Sequence, residues 1–228
     1  MDYYVLSNLC IIVGIIITLA AQIGVNVTIK HHKQIKNKKG FTGFDVARKI
    51  LDQNGLQSVH VVETEGVLSD HYDPSRKVVR LSHDIFHGDS VSALAVAAHE
   101  CGHAIQDKEN YTFMRFRSFL VPFVNLSSKF GYFAIVIGLI FGLMDLAWVG
   151  IALELVILLF QLVTLPVEID ASKRARIQIE RLSMADKKEV SGVRKVLTAA
   201  AFTYVASLLT NLLQILRLVL IVAGNDRD

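Results

Sequence analysis

Residues 130–166 read FGYFAIVIGLIFGLMDLAWVGIALELVILLFQLVTLP, with only Asp145 and Glu154 charged. At about 1.5 Å of rise per residue the stretch is too long for one helical crossing of a bilayer and long enough for two. It predicts a transmembrane hairpin that turns near Asp145 to Gly150, with Trp148 near the turn suited to the membrane interface. Two crossings return the chain to the face it left, so the segments on either side of the hairpin share one compartment.

Outward from the hairpin, the rest of the chain sorts by charge. The 228 residues are 52% hydrophobic and 20% charged, with a mean hydropathy of +0.43 and a net charge of +3. That balance excludes a disordered chain and offers no basic surplus for nucleic acid. Residues 30–118 hold 13 basic and 11 acidic side chains, and residues 167–198 hold 8 and 5. All 8 histidines fall between His31 and His103.

From Tyr3 to Ile29 there is no charge. This run predicts a first transmembrane helix rather than a cleaved signal peptide, because only Asp2 precedes it, the lysines follow it, and it offers no convincing small-x-small cleavage site. A fourth span is expected from Thr198 to Ala223. Asn211, Gln214 and Arg217 interrupt it, so an amphipathic helix lying on the others is the alternative. Lys30, Lys33, Lys36, Lys38 and Lys39 follow the first span, and Lys173, Arg174, Arg176 and Arg181 follow the third. Asp2, Asp145, Asp226 and Asp228 mark the opposite ends, which places both charged blocks in the cytoplasm of a cell-membrane protein. Cys10 and Cys101 fall in different compartments of this layout and are expected to stay reduced.

The expected fold class is therefore α+β, a multi-pass α-helical membrane protein with a small cytoplasmic α/β module. Its segments are 1–29 (first span), 30–118 (module), 119–166 (hairpin), 167–198 (cytoplasmic helices) and 199–228 (fourth span or membrane-packed helix). In the module, His31 and His32 belong to a basic linker. Thr42 or Gly43 caps a helix with Phe44, Ala47, Ile50 and Leu51 at helical spacing, stopped by Asn54-Gly55. Strands are expected around Val59 and Val61 and over Lys77 to Leu81, separated by a turn over Asp70 to Ser75. Gly88-Asp89-Ser90 caps a further helix that ends near Gln106 to Asn110.

That last helix carries His99-Glu100-Cys101-Gly102-His103, an H-E-x-x-H pattern. One helical turn separates His99 from His103, so both imidazoles can share a Zn²⁺ while Glu100 serves as base to the water that the metal activates. Cys101 falls on the other side of the helix, which removes it as a ligand. Gly102 costs about 1 kcal/mol relative to Ala in a helix, and its smallness can admit a close neighbour. A catalytic zinc needs a third protein ligand. Because the hairpin returns the chain to the same face, Glu168 and Asp170 are both in reach. They are two residues apart and point to different helix faces, so one is expected at the metal and the other behind a ligand or in a first helical turn. His71, Tyr72, His83 and Tyr111 are candidate donors to the oxyanion that forms during acyl transfer.

Three segments, Leu68–Ser82 (LSDHYDPSRKVVRLS), Ala95–Gln106 (AVAAHECGHAIQ) and Leu165–Ala175 (LPVEIDASKRA), carry a resemblance that extends over essentially the whole chain. They are similar to the bacterial neutral zinc metallopeptidases known as YugP-like membrane proteins, and through them to membrane gluzincins such as the heat-shock protease HtpX and the CAAX prenyl protease. The resemblance implies a gluzincin-type, zincin-like catalytic module. It also implies a Glu at the start of the helix after a transmembrane hairpin as third zinc ligand, which favours Glu168 over Asp170. The wider group usually shows Glu-x-x-Ala-Asp, and Ser172 stands here in place of that Asp. The expected activity is zinc-dependent hydrolysis of protein or peptide substrates, some of them membrane proteins, by an enzyme in contact with the lipid bilayer. The competing readings are a site-2-type intramembrane protease, which needs the motif inside a full span, and a zinc-stabilised scaffold, for which Glu100 would have no use.

Overall fold

The uncharged N-terminal run forms α1 (Tyr3–Lys33), the first helix of a computed structural model that describes residues 3–225. Asp2, Asp226 and Asp228, which entered the orientation argument, lie outside the described residues. Among the described residues, four helices are long and apolar enough to cross a membrane: α1, α5 (Thr112–Phe141), α6 (Met144–Arg181) and α7 (Lys187–Asn225). The chain divides into two compact units, one of Met1–Gln22, Arg115–Leu165 and Thr203–Asp228 and the other of Ile23–Met114 and Pro166–Phe202.

In the first unit, Ile135, Ala147, Ile151, Ile215, Leu218 and Val222 form a buried cluster between α5, α6 and α7. The surface of these helices stays apolar, with Leu19, Phe133, Ile140 and Phe141 more than half exposed, as suits a lipid-facing side. Small residues bring α5 and α6 together. A Cβ on Gly138 would stand 2.6 Å from the Ala147 nitrogen, and one on Gly150 would stand 2.7 Å from the Gly131 carbonyl oxygen. Polar groups find one another across helices, Thr18 with Thr210 at 3.0 Å and the Asn211 amide with Gln161 Oε1 at 3.1 Å. That pairing explains how α7 keeps Asn211 in an apolar stretch.

The hairpin turns earlier than the sequence suggests. Gly142, at φ +69°, closes α5 by sending the Leu143 N–H to the Gly138 carbonyl at 2.8 Å, a left-handed cap that a glycine adopts without strain. Asp145 then falls in the first turn of α6, where a carboxylate suits the helix dipole, and Gly150 lies at a packing contact. A second correction concerns α6 itself, which runs without a break through Pro166. Glu168 and Asp170 therefore sit inside a long helix, not in a first turn.

The second unit contains α2 (Gly43–Gln53), β1 (His60–Thr64), β2 (His71–Asp73), β3 (Val78–Ser82), α3 (His83–Phe86) and α4 (Val91–Lys108). Thr42 caps α2 with a full capping box, its hydroxyl accepting from the Asp45 N–H while the Asp45 carboxylate accepts from the Thr42 N–H. Val46, Ala47, Ile50 and Leu51 of α2 are fully buried against Leu94, Ala98 and Cys101 of α4. The sheet order is β1-β3-β2, with β1 parallel and β2 antiparallel to the buried central strand. The expected turn over 70–75 is in part the strand β2. Tyr72 is buried there, and the chain reverses after it, where Asp73 Oδ1 accepts from the N–H groups of Ser75 (2.9 Å) and Arg76 (3.1 Å). The basic linker begins later than expected, after the last turn of α1. His31 and His32 close α1, and buried Asn37 donates to the Met184 carbonyl at 2.9 Å and accepts from the N–H groups of Lys39 and Phe41.

Candidate metal centre

The helix α4 begins at Ser90, whose hydroxyl accepts from the Ala93 N–H at 3.1 Å, and it runs on small apolar residues into the heart of the second unit. Its small side chains let α6 lie close. A Cβ on Gly102 would meet the Ala171 carbonyl oxygen at 2.5 Å, so glycine at this position is a condition of the helix contact. This approach brings Glu168 onto the two histidines. Glu168 Oε2 lies 3.1 Å from His99 Nε2 and 3.5 Å from His103 Nε2, and ligand atoms of all three residues fall within 4.8 Å of one another. The side chains are only 16% (His99), 11% (His103) and 3% (Glu168) exposed, so all three are largely shielded from solvent.

Behind the imidazoles stand two residues that the sequence alone did not single out for this role. Gln106, fully buried, donates from its amide nitrogen to the Val167 carbonyl (2.8 Å) and the Asp170 carboxylate (2.9 Å). Both partners are acceptors only, which fixes the amide orientation and leaves Oε1 facing His103 Nδ1 at 3.0 Å. An acceptor there holds a proton on Nδ1 and turns Nε2 toward Glu168. Ser172 Oγ lies 3.2 Å from His99 Nδ1. The serine that replaces the wider group's aspartate is thus the hydrogen-bonding partner behind the first histidine, in line with Gln106 behind the second.

Asp170 faces away from the Nε2 atoms, as its two-residue offset from Glu168 dictates. It accepts from Gln106 and, at 2.5 Å, from Arg174, whose other nitrogen reaches Glu109 at 2.6 Å. Glu100 is buried, and among the described residues its carboxylate forms no hydrogen bond or ion pair. Burial alone would lower the pKa of His103. The hydrogen bond that the imidazole donates to Glu168 and the negative charge of Glu100 outweigh it and hold the pKa above its ordinary value of 6.5.

The other candidates lie elsewhere. Cys101 Sγ points to the Ala47 carbonyl at 3.6 Å, and burial, then the charge of Glu100, push its thiol well above the ordinary range. Cys10 and Cys101 are both free. Tyr72, the candidate oxyanion donor on β2, donates its hydroxyl to Asp107 at 2.7 Å, a carboxylate that also pairs with Lys77. His71 Nδ1 is bound to the Ser69 carbonyl at 2.7 Å on the surface. His83 pairs with Glu63, and Tyr111 packs its ring on Phe113 and below the Arg174 guanidinium.

Two histidines and a glutamate, convergent, buried or half-buried and with hydrogen-bonding partners behind both imidazoles, fit a nitrogen- and oxygen-ligated divalent metal such as zinc. Comparison with known proteins agrees with that chemistry. Residues 7–223 match the model of the family described as "Putative neutral zinc metallopeptidase". The chain belongs to that family. It is also 43% identical over 208 residues to "Putative membrane protease YugP" of Bacillus subtilis (strain 168), an alignment that covers 91% of this chain and 92% of the relative. No solved structure matches it. The four apolar helices found among the described residues are consistent with the membrane description in the Bacillus protein's name.

Proposed function

We propose that the protein is a zinc metalloendopeptidase of the gluzincin type, with His99, His103 and Glu168 as metal ligands, Glu100 as general base, and its active site on the cytoplasmic side of the membrane. The observation that carries this reading is the convergence of the three ligand atoms within 4.8 Å on two elements 69 residues apart in sequence, His99 on α4 and Glu168 on α6. Zinc in this pocket supplies a Lewis acid that polarises a peptide carbonyl and makes a water acidic near neutral pH. Glu100 accepts the proton of the attacking water and passes it to the leaving amine. Gln106 and Ser172 keep both imidazoles turned with Nε2 inward, so no reorientation is needed during turnover.

An extended peptide fits at an edge of the small sheet, where backbone hydrogen bonds hold varied sequences alike. The basic residues that follow the first and third apolar runs support the cytoplasmic placement. The motif lies on α4, which is not one of the four apolar helices, and this favours a membrane-anchored peptidase over a site-2-type enzyme. Cleavage of casein or a membrane-protein peptide by the detergent-solubilised chain, abolished by a chelator and by Glu100→Gln with zinc still bound, tests the proposal. Zinc-loaded Glu100→Gln protein that cleaves at the native rate would sink it. Equal metal content with no cleavage by the native chain would instead indicate a scaffold.

A further inference from the structure

Residues 83–87 read His-Asp-Ile-Phe-His and repeat, sixteen residues earlier, the His-x-x-x-His spacing of 99–103. The strand β3 ends at Ser82, whose N–H and hydroxyl both go to Asp70, at 2.7 and 3.0 Å. The chain then makes the single turn α3, closed by the His87 N–H on the His83 carbonyl at 3.1 Å. Ile85, buried, holds the inner side of that turn. His83 and His87 consequently stand one above the other on its outer side, with ring centroids 4.8 Å apart. A carboxylate meets them from the neighbouring strand. Glu63 of β1 pairs in register with Leu81 of β3, and its two oxygens reach His83 Nδ1 at 2.5 Å and His87 Nε2 at 3.0 Å. Asp84, between the two histidines, is drawn off to Lys33 at 2.6 Å.

We propose that Glu63, His83 and His87 form a second divalent-metal site, a solvent-facing one that takes a borderline cation such as Zn²⁺ or Ni²⁺. Their ligand atoms already lie within 4.8 Å of one another. Tetrahedral ligands about 2.0–2.2 Å from zinc stand about 3.3–3.6 Å from each other, so the cation enters by spreading these contacts. The side chains can move apart, being 42% (Glu63), 73% (His83) and 55% (His87) exposed. Two imidazoles and one carboxylate select zinc, nickel or copper over magnesium or calcium, which prefer all-oxygen sites. Open coordination positions face solvent, so water completes the shell and the site binds more weakly than the buried one. A bound cation ties the edge strand β1 to α3 and stiffens that side of the sheet. The site is independent of the catalytic reading, since it shares no residue with the buried triad.

The test uses the full, untagged chain in detergent, stripped with a chelator and titrated with Zn²⁺ by calorimetry, with metal content read after gel filtration. Two classes of site are expected, the weaker at least tenfold below the tighter. His87→Ala and Glu63→Gln are each expected to lose the weaker class and keep the tighter, while His103→Ala loses the tighter and keeps the weaker. A native chain whose only class is lost in His103→Ala, or retention of the weaker class in either His87→Ala or Glu63→Gln, overturns the proposal. Retention of the tighter class in both variants reports that they have folded.

Discussion

Two His-x-x-x-His pairs in this chain are each met by a glutamate from another element, 83/87 by Glu63 and 99/103 by Glu168. Spacing and residue types are the same, and each pair even has an acidic residue after its first histidine, Asp84 or Glu100. The surroundings differ. One pair rides on a single exposed turn, its glutamate's oxygens spread over a ring nitrogen of each histidine and its intervening aspartate spent on Lys33. The other lies on an 18-residue helix, shielded from solvent, with Gln106 and Ser172 behind the imidazoles and, among the described residues, no hydrogen bond or ion pair on the Glu100 carboxylate. A ligand pattern becomes a reactive site when burial lowers the local dielectric and outer partners fix each tautomer.

The largest effect expected from this contrast separates the two acidic residues. Glu100→Gln should lower peptide cleavage about 10²–10⁴-fold, the usual weight of a general base, whereas Asp84→Asn leaves the rate unchanged. Steady-state assays on both, at equal zinc content, decide it. Next come the outer partners. Gln106→Ala, which leaves His103 without its Nδ1 acceptor, should weaken zinc binding about 10–100-fold in a competition titration against a chelator, and native affinity would break the comparison.

Smaller effects fall on stability. Gly102→Ala pushes a methyl into the Ala171 carbonyl and should cost about 1–3 kcal/mol in chemical denaturation, with zinc affinity falling as α4 and α6 are forced apart. Tyr72→Phe removes a hydrogen bond to buried Asp107 and should cost about 1 kcal/mol. Its cleavage rate should match the native one, since a true oxyanion donor would cost about 10²–10³-fold.

The least effect is a pH dependence. The pKa of His103 in the folded, ion-free chain lies above 6.5, so its contribution to stability is fully present below pH 6.5 and fades as pH rises through the folded value. Denaturation midpoints of chelator-treated protein should fall from pH 6 to pH 8, with a shallower fall in Glu168→Gln.

Much of this was legible in the residues. Four apolar runs, the parity of the hairpin and the His99/Glu100/His103 triplet follow from hydropathy and helical period. Glu168 and Asp170 were narrowed by their offset, and the resemblance chose between them. Less legible were short elements and shifted turns. A three-residue strand such as β2 leaves too few positions for alternation to show, and the hairpin's turn is set by the left-handed Gly142 rather than by charge. Gln106 was invisible because a glutamine in a helix carries no sign of what its amide meets 61 residues away. The 83/87 pair was overlooked because His83 and His87 depend on Glu63, brought near by strand pairing.

By itself, the sequence determined the periodic and additive properties: which runs can cross a membrane, which side of a helix a residue occupies, and that two histidines share one face of α4. Tertiary structure decided what depends on contact between distant segments. The absence of a Cβ at Gly102 lets α6 approach α4. That approach sets Glu168 against His99 and His103, and it places Gln106 and Ser172 behind them. Hydropathy and helical period repeat along the chain and can be read locally, whereas a ligand set is a coincidence of side chains in space, fixed only when the helices pack.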